Sequence, residues 1–428
     1  MLTVTLFRAY QQSNTKNKHK YSIINTTYLL TKHRFYGILT TVLLGIDTLL
    51  HNRCKSLRGA AVGLYTNIAA CDSDLRPTID WFLQDSSIAL KVIFAPEHGL
   101  YGALQDQAPA RTYHDKTHRI PIVSLYGKRL TPTEQYLRKI DTLVIDINDI
   151  GSRYYTFLWS AILLIHEARQ HNIKAVVLDR PNPLNGLSVE GAVLEPAFTS
   201  FVGLFPLPVR HGMTMGELCT LMNKEMMLNA DITVVKMKGW RRSQYFPDTS
   251  LQWTMPSPNM PSFNTALVYP GMCLLEGTNV SEGRGTTRPF EIFGAPWIKA
   301  SALVNALLQQ NLQGVGFRPL RFIPTFGKYK GRLCSGAHIY VTTRSVFRPF
   351  TTALTIIRTI IELYPQKFKW RTPPYEFERR KMPFDILVGN SWIRPALENK
   401  RSISEISKKW QPALTRFKKK RKAYMLYN

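Results

Sequence analysis

The chain has 428 residues, 44% of them hydrophobic, so it carries material for a sizeable core and a length that favours two domains over one. Lys and Arg total 56 against 29 Asp and Glu, a formal charge of +27, which favours anionic partners without choosing among nucleic acid, an acidic polymer and a membrane surface. No stretch reaches the roughly 20 apolar residues that a membrane-spanning helix needs, so no transmembrane segment is expected.

Residues 1–38 form a basic N-terminal extension, with Arg8, Lys16, Lys18, Lys20, Lys32 and Arg34 and no acid before residue 35. The short apolar run 36–46 leads directly into Asp47, Thr48, Leu49 and Leu50, which predicts an amphipathic helix rather than a leader with a small-residue cleavage site. Apolar runs at 60–65, 90–95, 122–125, 142–147, 174–178 and 232–236 read as strands, with helical stretches such as 158–171 between several of them. That alternation predicts an α/β fold: a Rossmann-like parallel sheet, helices on both faces, over residues 39–262. The turn-rich run Pro256-Ser257-Pro258-Asn259-Met260-Pro261 reads as a boundary. Beyond it, a strand at 334–342 and a helix at 350–363 predict a smaller α+β domain over 263–428 that completes the cleft. The basic run near the end carries Trp410, Leu414 and Phe417 at helical spacing, which predicts a helix docked by its apolar side, its charges on a solvated face.

Several chemistries lack their signatures. The turn after the first strand has no G-x-G-x-x-G, and neither a phosphate-loop lysine motif nor a G-x-S-x-G elbow occurs. His114 and His118 stand four apart, as zinc ligands on one helix face would, but the glutamate of that motif is missing. The five cysteines are scattered without metal-ligand spacing and read as core thiols. No metal or cofactor is expected. The loop 281–287 has the glycines for close backbone approach to a ligand, or for an ordinary turn.

Carboxylates at strand ends are the remaining chemistry. The strand 90–95 stops at Pro96-Glu97-His98-Gly99, and in open α/β sheets ligands bind at the C-terminal ends of strands. Burial of Glu97 there would favour its protonated form and suit it to general acid work, while His98 is either a catalytic partner or a structural histidine holding the turn. A second acidic turn, Asp146 to Tyr155, follows the strand at 142.

These segments resemble successive signatures of one bacterial family, the NamZ exo-β-N-acetylmuramidases. The matching strings are FAPEHGLYG from Phe94, DINDIGSRYYTF from Asp146, LDRPNPLNG from Leu178, VEGAVLE from Val189, FVGLFPLPVRHGMTMGEL from Phe201, PSPNMP from Pro256 and YPGMCLLEGTNVSEGRGTTRPFEIFGAPWI from Tyr269. Their order covers the chain from about residue 40 to its end. The resemblance implies a peptidoglycan glycoside hydrolase that releases N-acetylmuramic acid from the non-reducing end of glycan fragments, in cell wall turnover, and a place in the cell envelope; the lack of a clear leader leaves the cytoplasm as the alternative. It maps the catalytic acid onto Glu97, with His98, Asp146 and Asp149 beside it as catalytic candidates. It implies substrate-binding roles for Arg153, Tyr154, Asn182, Arg210, His211, Glu276, Asn279, Glu282 and Arg284. The family usually has glutamine where this chain has Asn148. Muramic acid bears a lactyl carboxylate, so an arginine contact is expected from Arg153, Arg210 or Arg284. Glycoside cleavage also needs a second group as nucleophile or water activator, and the sequence leaves that group open. Two other classes stand against the enzyme: a non-catalytic wall-binding protein of the same fold, and a nucleic-acid-binding protein. The motif-bearing middle has no basic-aromatic module, so no nucleic acid is expected.

Overall fold

The computed structural model describes residues 42–116 and 119–428; the basic extension 1–38 and His118 lie outside them. The strands in chain order are β1 (Ala61–Tyr65), β2 (Ala89–Ala95), β3 (Tyr113–Asp115), β4 (Ile120–Ser124), β5 (Thr142–Ile145), β6 (Lys174–Leu178), β7 (Glu190–Val193), β8 (Pro208–Arg210), β9 (Ile232–Val235), β10 (Ile292–Ala295), β11 (Val315–Phe322) and β12 (Cys334–Val341). The α-helices are α1 (Gly45–His51), α2 (Thr78–Gln84), α3 (Glu134–Leu137), α4 (Thr156–Gln170), α5 (Met215–Glu225), α6 (Phe263–Met272), α7 (Ala300–Leu308), α8 (Pro349–Leu363), α9 (Pro383–Val388), α10 (Ile393–Glu398) and α11 (Ile403–Arg421).

The predicted parallel sheet is present. Seven strands lie in the order β3-β4-β2-β1-β5-β6-β9, all parallel except the edge strand β3, which runs antiparallel to β4. The chain winds outward from β1 through β2 to β4, then returns to β5 and winds the other way through β6 to β9. Because successive side chains leave a strand on opposite faces, each strand feeds two cores. Val62, Leu64, Val144 and Val176 pack with Ile46 and Leu49 of α1 and Phe82 of α2. Leu143, Ile145, Ala175 and Val177 pack on the other face with α4 and α5, in a core continuous with the C-terminal half. Such two-sided burial explains why these strands read as unbroken apolar runs.

The predicted helix around residue 46 starts later than the apolar run implied. Leu43 is extended and bridges Lys238, and α1 begins at Gly45. A Cβ on Gly45 would lie 2.3 Å from the Asp179 amide nitrogen, so only glycine lets the helix start this close to the end of β6. After β9 the chain builds a smaller antiparallel sheet, β10-β12-β11, with α7 packed on it and α8 packed on α7. Trp410, Leu414 and Phe417 of α11 are buried, as their spacing predicted. All five cysteines are buried thiols without disulfides. Among the described residues no helix is long and apolar enough to cross a membrane.

Helices α6 and α8 approach closely at Gly271, where an added Cβ would sit 1.9 Å from the Pro349 carbonyl oxygen. On an open helix, alanine for glycine adds about 1 kcal/mol of helix propensity. Here it must push two backbones apart, and overpacking of that kind costs about 1–3 kcal/mol. Gly271→Ala therefore lowers the melting temperature in thermal unfolding followed by circular dichroism.

Candidate active site

The turn after β2 places Glu97 and His98 at the lip of the sheet. His98 takes a left-handed backbone (φ 71°), and the Gly99 amide closes the turn on the Pro96 carbonyl at 3.1 Å. Glu97 is 5% exposed. Its Oε1 accepts from the Gln107 amide at 3.0 Å and its Oε2 from the Thr156 hydroxyl at 2.8 Å. Thr156 opens α4, so the carboxylate also faces the positive end of a 15-residue helix. His98 Nδ1 lies 2.7 Å from the Leu104 carbonyl, which can only accept, so Nδ1 is the donor of this contact.

Glu97 and His98 line an enclosed pocket together with Tyr154, Glu276 and Arg284 from the sequence candidates. A second carboxyl on the same wall, Glu376, escaped sequence reading. It is 8% exposed, takes a left-handed backbone (φ 45°), and accepts from the Tyr126 hydroxyl at 3.0 Å. Burial, and then the charge of neighbouring Glu97, hold the Glu376 carboxyl well above the usual carboxylate range, against the Tyr126 hydrogen bond that lowers it. Burial and the two glutamates also push the Tyr126 phenol up. A non-glycine residue in this backbone region stores about 1–3 kcal/mol of strain, which persists where the surroundings over-determine it. The rings of Tyr154, Tyr155, Tyr269 and Phe290 meet edge to face around the pocket, with centroids 4.8 to 6.3 Å apart. The Pro256 to Pro261 run, read from sequence as a boundary, contributes Ser257, Asn259 and Met260 to the wall.

Arg284 ties the floor together. Its guanidinium reaches Glu276 at 2.8 Å, Asp106 at 3.1 Å and Glu282 at 3.7 Å. These carboxylates outweigh burial and hold the guanidinium well above its ordinary range. Glu276 also accepts from the Tyr375 hydroxyl at 2.7 Å, and Glu282 from Lys328 at 2.8 Å. Burial works against the Glu282 carboxylate, yet Lys328 and Arg284 bring it below the usual range. Gly283 and Gly285, flanking Arg284, have φ of 82° and 78°, and a Cβ on either would meet backbone of the chain itself at 2.5–2.6 Å. Those glycines fit the loop to its own protein. Asn279 lines the adjoining groove and braces it, donating to the Lys367 carbonyl and accepting from the Lys369 amide, both at 2.9 Å.

Other candidates lie away from Glu97. Asp146 is fully buried at the end of β5, gripped by Nε and Nη2 of Arg180 and by the Thr78 hydroxyl. Arg153 is wholly buried and donates to the carbonyls of Ala192, Leu207 and Leu387, latching the β7–β8 hairpin to α9; burial lowers its pKa to about 10. Arg210 donates to the Leu184 carbonyl and lies over the Tyr245 ring at 5.9 Å. Asn182 holds the Met213 carbonyl at 2.9 Å. A Cβ at Gly151, which has φ 77°, would strike the Asn182 side chain at 2.4 Å. Asn148 bridges the Ala69 carbonyl and the Thr254 hydroxyl, each at 2.9 Å.

Asp149 lines a second crevice, between the ends of β1, β5 and β6, beside Arg180 and Trp253. Its Oδ2 accepts from the Gly151 amide at 2.8 Å, and burial pushes its carboxyl up to about 7. His211 Nε2 stands 3.8 Å away, but burial and Arg421 pull that imidazole down to about 3, so it is neutral and forms no ion pair. Between pH 4 and pH 7 the unfolded chain releases the Asp149 proton while the folded chain keeps it. Stability therefore falls with rising pH across that window, by at most about 1.4 kcal/mol per unit, and levels off above it. Thermal unfolding from pH 4 to pH 8 shows this slope as a difference between the wild-type chain and Asp149→Asn, which lacks the proton.

Residues 62–264 match the family model described as exo-beta-N-acetylmuramidase NamZ, N-terminal, and residues 267–427 match its C-terminal counterpart. The peptidoglycan beta-N-acetylmuramidase NamZ of Bacillus subtilis strain 168 is 44% identical over 383 residues, covering 90% of this chain and 91% of that protein. Two crystal structures of DUF1343 family proteins from Bacteroides fragilis share the fold. One superposes with a TM-score of 0.82 at 32% identity, covering 91% of this chain and 99% of that one. The other gives 0.69 at 28% identity, covering 90% and 99%. The chain belongs to the NamZ family and is a glycoside hydrolase.

Proposed function

We propose that the chain is an exo-β-N-acetylmuramidase that releases N-acetylmuramic acid from the non-reducing end of peptidoglycan fragments, with Glu97 and Glu376 as the two carboxyls of cleavage. The observation that carries this reading is their placement on one pocket wall, both nearly withdrawn from water, in different environments. A carboxyl that burial keeps protonated beside a second carboxyl marks a candidate acid and its partner. The family description and the Bacillus subtilis relative supply the exo mode and the sugar.

The sequence alone assigned the acid to Glu97. The surroundings favour the other division of labour. Both Glu97 oxygens accept hydrogen bonds, as an ionised carboxylate does, whereas Glu376 holds its proton because ionising it beside Glu97 in a dry pocket is unfavourable. Glu376 gives that proton to the glycosidic oxygen as the bond from C1 to the departing sugar breaks. Glu97 faces the positive charge that develops at the anomeric centre, and water supplies the new oxygen on C1. The proton left over from water restores Glu376. Tyr154, Tyr269 and Phe290 supply the apolar part of the pocket lining.

Leaving-group dependence separates the roles. Glu376→Gln loses on the order of 10²- to 10⁴-fold in kcat with a MurNAc–GlcNAc disaccharide and much less with 4-nitrophenyl β-N-acetylmuramide, whose aglycone needs no proton. Glu97→Gln loses both. Equal activity of Glu97→Gln and the wild-type chain on the disaccharide would refute the assignment, and folded protein that turns over neither substrate would point to a wall-binding role.

The pH dependence has a definite sign. Since the Glu376 pKa is raised, its proton survives well above the usual carboxylate range, and kcat/KM for the disaccharide falls as pH rises through that pKa. This alkaline limb is absent from the profile of Glu376→Gln.

A further inference from the structure

From the catalytic pocket a groove continues outward, sharing Asp106, Glu276 and Arg284 with it. Its wall carries four cations against three carboxylates. Arg284 and Lys328 are consumed by the acids described above. Lys369 and Arg371 make no ion pair among the described residues. Neither do Arg153 and Arg210 present a guanidinium here: each is 1% exposed or less, Arg153 donating to three main-chain carbonyls and Arg210 to that of Leu184, away from the groove. All three arginines expected to meet the lactyl carboxylate are thus already engaged or remote.

We propose that Arg371 and Lys369 bind the lactyl carboxylate of the muramyl sugar being released and so set the choice of muramide over glucosaminide. The inference rests on the muramidase reading above. Residues 369–371 are extended and pair with 277–279: the Asn279 amide donates to the Lys369 carbonyl and the Arg371 amide to the Gly277 carbonyl, both at 2.9 Å, around the bridge between Thr278 and Trp370. In extended backbone, residues two apart share a side, so Lys369 and Arg371 leave the segment together. Trp370 between them also lines the groove, its ring packed against Phe384 with centroids 4.5 Å apart and its indole nitrogen donating to Glu398. The Arg371 guanidinium lies 5.3 Å over the ring of Tyr375, whose hydroxyl holds Glu276 on the pocket floor. Arg371 is half-buried and Lys369 exposed, so one cation is anchored at the pocket mouth and the other reaches in from solvent. A planar guanidinium beside a mobile ammonium suits a single carboxylate on a short flexible arm.

The test uses two 4-methylumbelliferyl β-N-acetylmuramides, one with the free lactyl carboxylate and one with that group as its uncharged amide, assayed on the full chain. For the wild-type chain, KM for the amide exceeds that for the acid by about tenfold, the scale of one lost charge-assisted hydrogen bond. Arg371→Gln and Lys369→Gln each raise KM for the acid by a similar factor and leave KM for the amide where it was; Arg371→Lys recovers part of the preference. A variant that loses equally on both substrates, or keeps the wild-type preference for the acid, overturns the assignment. So does an effect confined to longer glycans, which would place the bound carboxylate on a different sugar. Failure of the wild-type chain to cleave either compound would sink the muramidase reading itself, a distinct result.

Discussion

Two carboxyls brought side by side out of water cannot both be charged without a large electrostatic penalty, and the architecture around Glu97 and Glu376 answers that constraint. Glu97 receives an amide, a hydroxyl and the positive end of α4. Glu376 receives one phenol and keeps a proton. Farther down the wall, Arg284 absorbs the charge of Asp106, Glu276 and Glu282. Without that guanidinium, three more acids would make the potential at the pair more negative and disfavour its one ionised carboxylate.

The sheet explains where this pair sits. In a doubly wound sheet the ligand crevice opens where the winding reverses, here between β1 and β5. In this chain that crevice is crossed by its own side chains. Arg180, beside the Asp146 pair, also holds the Cys71 carbonyl, and Asn148 ties the loop after β1 to Thr254. The acidic turn after β5 therefore serves as scaffold. The proposed chemistry lies one strand over, at the end of β2, where the start of α4 offers both a hydroxyl and a dipole.

Much of this was legible beforehand, for physical reasons. The central strands are buried on both faces, so their apolar runs stand out, and Glu97 is visible because such a run stops at Pro96. Asp146 looked equivalent by the same logic; what sets it apart is Arg180 and Thr78, contacts that only the folded chain reveals. Glu376 had no apolar strand before it. Its only local signal was the proline pair Pro373-Pro374 ahead of Tyr375, which reads as a loop, and its partner Tyr126 is distant in sequence. Arginines could be counted but not their engagements, so Arg153, a main-chain staple, was indistinguishable from a ligand-binding residue. The short strands β3, β7, β8 and β10 also escaped, since three or four residues carry too little periodicity.

Because Glu97 comes from the end of β2 and Glu376 from a loop beyond α8, the reactive pocket does not exist in any half-made chain. During synthesis the sheet leaves the ribosome first and can assemble around β1 and β5 with one carboxyl already in place. The second arrives only after the antiparallel sheet and α8 have followed. On the proposed assignment, activity is switched on by the closing of the polypeptide upon itself, and a truncated chain ending before that loop lacks the second carboxyl even where its sheet has folded.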